Sequence, residues 1–252
     1  MESSNYQVRA VSRALRILQA FTPERPVHNL SDLSRSLGLH KSTMLRLLSS
    51  LEAERFIEKT KDGYRLGTKV FELGSAYYVT SLSVAQIARG YMPRLVDEWQ
   101  LSANLAVLDH DEVLYVEVLE PSQPLRVKFS VGSRAGIHCT ALGKVLTSEM
   151  PWAHVENVLK TKGMPRYTAS TITTPERFRE CLAAVRSEGY ALDQEEIIEG
   201  VRCVAAPIRD RTGRIVSALS LSGPLSVFSD RILNDVISDL KRVTSEISSR
   251  VG

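Results

Sequence analysis

The chain lacks most features that advertise a chemistry. Its 252 residues hold only three cysteines, Cys139, Cys181 and Cys203. The number is odd and no two form a CxxC pair, which argues against a disulfide scaffold or zinc knuckle and for a reduced, cytoplasmic protein. No apolar run is long enough to span a bilayer, and the opening MESSNYQVRAVSR lacks the apolar core of a secretory signal, so no membrane partner is expected. GxSxG, HExxH, Walker and dinucleotide fingerprints are missing, so no catalytic residue and no cofactor is marked. There is no internal repeat or low-complexity tract. Net charge is only +3.

What is present fits ordinary globular protein: 43% hydrophobic and 24% charged residues, enough for one large domain or two modest ones. The charge is unevenly placed. Residues 1–70 carry twelve Lys and Arg against seven Asp and Glu, a net +5, and the remainder is −2. A modest basic excess therefore sits at one end, as a phosphate-binding surface requires.

That end carries the strongest pattern. Val11, Leu15, Leu18 and Phe21, with Ala14 and Ile17, form the stripe of a first helix, Val8 to Phe21, stopped by Pro23 and Pro26. Ser31 is the expected N-cap of a second helix bearing Leu33 and Leu37, with Ser34 and Arg35 outward, and Gly38 suits the tight turn after it. A third helix, Lys41 to Glu54, sets Met44, Leu47, Leu48 and Leu51 on one side. Phe56–Lys59 and Tyr64–Leu66 flank Asp62-Gly63, a hairpin signal. Helix, turn, helix and basic ribbon predict a winged helix-turn-helix, whose second helix enters the DNA major groove. On the outward face, Arg46 suits a guanine or a phosphate. Lys41, Ser42 and Thr43 near the helix start suit phosphate oxygens, Ser49 shares the face, and Lys59, Lys61 and Arg65 of the wing suit the backbone. A merely solvated polar face, or a winged helix that binds protein, would show the same pattern.

From Thr68, Val70, Leu73, Tyr77 and Tyr78 predict a linker helix that fades near Ser81–Ser83, and a further helix, Val84 to Trp99, opens the second domain. The period then changes. Strands are predicted at Asn104–Leu108, Glu112–Leu119 and Leu125–Val131, with Asp109-His110-Asp111 as the first turn. Helices follow at Thr140–Ser148, Ala153–Lys160 and Pro175–Glu188, the last with Thr174 as N-cap. Strands return at Tyr190–Leu192, Cys203–Ile208 and Ile215–Ser220, the last two joined by Asp210–Gly213, before a final helix, Asp230 to Arg250. The expected fold is multidomain α+β: residues 1–67 a winged helix-turn-helix, 68–82 a linker helix, and 83–252 an α/β domain with a largely antiparallel sheet.

Three separated blocks, HKSTMLRLLSSLEAERFIEK…YRLGTKVFELG, VGSRAGIHCTALGKVL and EGYALDQEEIIEGVRCVAAPIRDRTGRIVSALSLSGP, resemble the IclR family of bacterial transcription regulators over nearly the whole chain. The resemblance implies a small-molecule effector in the C-terminal domain, an organic acid at family level, and dimers or dimers of dimers on palindromic double-stranded operator DNA. It places the backbone N–H groups of Ala141 and Leu142 on the acid, at a helix N-terminus whose dipole favours an anion. It carries Asp193, Cys203, Ser220 and Ser222 onto the opposite wall, with Leu125, Val127 and Ala135 as apolar lining. Three positions depart from the family: Arg55 stands where glycine is usual, Gly136 where proline is common, and Val227 where arginine is common.

Each site residue has a plainer reading. Cys203 fits a small buried strand residue, Asp193 a turn cap or a partner of Arg202, and Ser220 and Ser222 sheet-end hydrogen bonding. A cysteine enzyme would use Cys203 with His138 or Asp193. A metal on His138, Cys139 and Cys203 is disfavoured by the adjacent His-Cys pair, so none is expected.

Overall fold

A computed structural model describes residues 8–81, 83–122 and 129–251. The chain divides into two compact units, Met1–Ser81 and Leu82–Gly252.

In the first unit, α1 (Arg9–Gln19), α2 (Leu30–Leu37) and α3 (Lys41–Ala53) close over one core, followed by the hairpin β1 (Ile57–Thr60) and β2 (Gly63–Leu66) and by α4 (Thr68–Ser81). Ile17, Leu33, Met44 and Leu48 are fully buried, with Ile57 and Tyr64 joining from the wing. At roughly 1.5–3 kcal/mol per buried side chain, this cluster is what sets the angle between α2 and α3. The stripe expected on α3 is the buried one, Leu47 lying half-buried at its edge.

Two local expectations change. Asn29, not Ser31, caps α2: its side chain accepts from the Asp32 N–H at 2.9 Å, so the helix begins two residues earlier, and Ser34 lies inward at 8% exposure. The hairpin turn is Lys61-Asp62, and Gly63 belongs to the strand, opposite Thr60. The reason is a third strand partner. His28 exchanges backbone hydrogen bonds with Tyr64 at 2.9 and 2.8 Å, and a Cβ on Gly63, whose φ is 140°, would lie 2.4 Å from the His28 carbonyl oxygen. Only glycine admits that approach.

Arg55, at a position where the resemblance implies glycine, takes the left-handed conformation, φ 61°. The backbone path into the wing is thus kept, at a steric cost of about 1–2 kcal/mol.

The second unit opens with two helices rather than one: α5 (Ser83–Ala88) and α6 (Met92–Trp99), separated at Gly90-Tyr91 with Pro93 in the first turn of α6. Six antiparallel strands follow in the order β5-β4-β3-β8-β7-β6, comprising β3 (Ser102–Asp109), β4 (Glu112–Leu119), β5 (Arg134–Ala135), β6 (Ala191–Gln194), β7 (Val201–Arg209) and β8 (Ile215–Pro224). The turn at His110-Asp111 has both residues at positive φ, the two-residue type whose twist suits a hairpin. The strand expected at Leu125–Val131 falls largely on residues outside those described. Phe129–Val131 are not in a strand, and the two-residue β5 edges the sheet instead.

Alternation gives the sheet two buried faces. One packs against α7 (Ala141–Thr147), α8 (Trp152–Lys162) and α9 (Pro175–Glu188) through Val145, Val158, Phe178 and Leu182. The other leaves Val204, Ala206, Leu219 and Leu221 for the side of α10 (Asp230–Ser248), which buries Val236, Leu240 and Ile247. Thr174 caps α9 through the Arg177 N–H. No helix among the described residues is long and apolar enough to cross a membrane.

Candidate functional site

The first candidate surface is the outward face of α3. Lys41, Ser42, Arg46 and Ser49 are exposed and Thr43 is half-buried. Arg46 makes no ion pair among the described residues, so its guanidinium is available to a phosphate or a guanine edge. Ser42 is locally engaged: the His40 ring nitrogen Nδ1 lies 2.8 Å from its hydroxyl and caps the helix at its N–H. Leu45, 47% exposed, flanks the same face, and an apolar side chain there suits a thymine methyl. In the wing, Lys59 and Lys61 are exposed, whereas the register puts Arg65 opposite Glu58, whose carboxylate it holds at 2.7 and 2.9 Å. A phosphate contact from Arg65 therefore competes with Glu58.

The second candidate is a cavity in the sheet domain. Strand register writes two polar rows across the sheet. Asp193, Cys203, Ser222 and Ser102 form one, and Ala205, Ser220 and Asn104 the next. The start of α7 lies over them. Thr140 caps it, accepting from the Gly143 N–H at 2.9 Å while donating to the Gly136 carbonyl at 3.0 Å. A Cβ on Gly143 would lie 2.5 Å from the Ile137 Cα, so glycine is what lets the helix press onto its own entry loop. With Gly143 capped, the N–H groups of Ala141 and Leu142 are the helix-start donors left over.

A cavity with about 10 Å³ of free space is lined by Ala141, Leu142, Asp193, Cys203 and Ser220 of the expected set. It is also lined by Asn104, Tyr115, Phe129, Thr140 and Ile197, which sequence reasoning missed. That space is about what one water molecule needs, far below the roughly 300–1,000 Å³ of pockets for drug-sized molecules. Tyr115 and Phe129 stack with ring centres 4.9 Å apart. Ser222 stands one step behind the wall, accepting from the Asn104 amide at 3.0 Å. Ala135 pairs with Val113 at the sheet edge and does not line the cavity, because the strand carrying it is displaced to the far side of β4. Leu125 and Val127 lie outside the described residues.

The electrostatics are those of a dry site. Burial pushes the Asp193 carboxyl up to about 6, with the nearby Glu196 charge adding and the Glu196 N–H, which donates to Oδ1 at 2.7 Å, opposing. Burial first, then the charge of Asp193, raises the Cys203 thiol well above its ordinary value. Such a thiol is a poor nucleophile. The histidine a cysteine enzyme would need is also elsewhere, since His138 is bonded through Nε2 to the Pro165 carbonyl at 3.1 Å. Arg202 pairs with Asp230 at 2.8 Å rather than with Asp193. Behind α7, Lys144 and Glu196 form a fully buried ion pair, and Lys144 also donates to the Leu192 carbonyl at 2.7 Å. Neither residue was marked by sequence, because their partnership spans 52 positions.

Residues 10–61 match the family described as "IclR helix-turn-helix domain", and residues 76–249 match "Bacterial transcriptional regulator IclR C-terminal". The chain is 33% identical over 247 residues to the HTH-type transcriptional regulator XynR of Escherichia coli K12, covering 97% of this chain and 98% of that one. It is 32% identical to KdgR of the same organism, covering 97% and 93%. Among solved structures, an IclR homolog from Microbacterium hydrocarbonoxydans complexed with 4-hydroxybenzoate superposes with a TM-score of 0.85 at 29% identity, covering 95% of this chain and 98% of that one. With a winged helix-turn-helix at one end, a small polar-walled cavity in an antiparallel α/β domain at the other, and matches that run the length of both, the chain belongs to the IclR family of ligand-responsive, DNA-binding transcriptional regulators.

Proposed function

We propose that this regulator senses a small organic acid in the cavity beneath α7 and answers by changing its hold on palindromic operator DNA. The observation that carries this reading is the meeting, in one buried space, of the unpaired α7 N–H groups of Ala141 and Leu142 with the polar wall of Asp193, Cys203 and Ser220. The N–H groups and the positive helix end favour a carboxylate. The wall supplies hydrogen bonds to the rest of the molecule, with Ser222 supporting it from behind. The acid found with the Microbacterium relative, 4-hydroxybenzoate, supports that ligand class. The regulator performs no chemistry in this reading, and it works in the cytoplasm, where its DNA is.

Residues 1–67 bind DNA, residues 68–82 link, and residues 83–252 sense. Arg46 reads a base, with Lys41, Ser42, Thr43, Ser49, Lys59, Lys61 and Arg65 serving the backbone. The active form is a dimer or a dimer of dimers. Val11 and Leu15 of α1 and Phe71 and Leu73 of α4 are all more than half exposed, an apolar surface that a second copy would cover.

The test is fluorescence anisotropy on operator DNA during titration with aliphatic, keto and aromatic acids, alongside thermal shifts of the protein alone. One acid class should raise the melting temperature and shift the DNA-binding curve. Cys203→Val should weaken the ligand response while leaving ligand-free DNA binding intact, and an unchanged response would remove Cys203 from the site.

A further inference from the structure

The cavity wall is unevenly satisfied. Asn104 is 1% exposed and lines the cavity, yet only one end of its amide is used. Nδ2 donates to Ser220 Oγ at 3.3 Å and Ser222 Oγ at 3.0 Å, while Oδ1 is buried without a hydrogen-bond partner among the described residues. The Ser220 hydroxyl is directed to the Asn104 main-chain carbonyl at 3.5 Å. As the amide is placed, both serine oxygens accept from its nitrogen. Oδ1 is left as an acceptor in a buried space with no donor among the described residues to meet it.

We infer that Asn104 is a specificity-determining residue, selecting small carboxylic acids that carry a hydroxyl group. The hydroxyl donates to Asn104 Oδ1 while the carboxylate faces the α7 N–H groups. This rests on reading the cavity as the acid site. A keto oxygen in the same place brings no hydrogen and opposes one acceptor with another, and the parent acid without oxygen leaves Oδ1 unmet. A site built around a hydroxyl rejects analogues lacking it far more strongly than an apolar site rejects a missing methylene.

Isothermal titration calorimetry on the full chain tests this with matched series: lactate, pyruvate and propionate; 3-hydroxybutyrate, acetoacetate and butyrate; 4-hydroxybenzoate and benzoate. In any series that binds, the hydroxy acid should bind at least roughly tenfold more tightly than its keto and parent analogues. Asn104→Leu should level that ranking. If that variant does not fold, the ranking in the unaltered protein decides alone. A keto or parent acid that equals or exceeds the hydroxy acid overturns the assignment, with water then meeting Oδ1, and leaves the acid site standing. L-Alanine binding more tightly than lactate overturns the hydroxyl in favour of an amine donor. Lactamide binding as tightly as lactate, or no acid binding at all, overturns the acid site itself and this inference with it.

Discussion

The two units handle polar groups in opposite ways. On α3 and the wing, Lys41, Arg46, Lys59 and Lys61 are exposed to water, where their charge acts at a distance and fades with salt. Beneath α7, Asp193, Ser220, Ser222, Asn104 and the Lys144–Glu196 pair are each less than a tenth exposed, and they act only through contact. A surface that must find a polyanion gains from accessible charge. A cavity that must tell one small acid from another gains from desolvated groups that tolerate no mismatch.

The largest effect that would break this contrast lies in the buried pair. Lys144→Met leaves Glu196 buried without its cation and should cost about 3–5 kcal/mol of the sheet domain's stability, read by urea unfolding. Adding Glu196→Gln should recover much of the loss. A cost below about 1 kcal/mol for the single change would mean that water reaches the pair.

Next comes pH. The folded protein holds the Asp193 proton up to about 6, against an ordinary 3.8, so it binds that proton more tightly than the unfolded chain does. The associated stability is fully present below about pH 4 and is lost as pH rises through about 6, amounting to roughly 2–3 kcal/mol by pH 7. Asp193→Asn should flatten that slope in denaturation series between pH 4 and 7. An unaltered slope would place the titration elsewhere.

On the exposed side the effects are smaller and belong to binding. Arg46→Ala should weaken operator binding by roughly 1–3 kcal/mol and relax preference at one base pair in a competition assay. Uniform weakening would make Arg46 a phosphate clamp. Lys59→Ala should weaken all sequences alike and reduce the salt slope by about one. Smallest is Arg55→Gly. Relief of the left-handed strain, partly offset by glycine's greater freedom in the unfolded chain, should raise the first unit's stability by about 0.5–1 kcal/mol in thermal melts.

The N-terminal unit was the more legible of the two. The stripe Met44, Leu48, Leu51 faces the core as its spacing requires, because a helix converts local periodicity directly into a buried side. Legibility failed where a distant group intervened. Nothing near Gly63 announces that the His28 strand will press against it, and Asn29 displaces Ser31 as cap through a single side-chain bond. In the sheet domain, motif likeness picked out Ala141, Leu142, Asp193, Cys203 and Ser220, which do share a cavity. Asn104 escaped because it is an ordinary strand residue until β3 pairs with β8, more than a hundred positions away.

By itself, the sequence determined the helix faces, most strand positions, the basic end and the family, since these depend on spacing and composition along the chain. Only the tertiary structure decided which polar groups are paired and which are left waiting. Arg65 is occupied by Glu58 and Arg46 is not. The Asn104 amide nitrogen is used and its oxygen is not. Hydrogen bonds and ion pairs are satisfied across strands and between elements, so their bookkeeping closes only when the chain has folded.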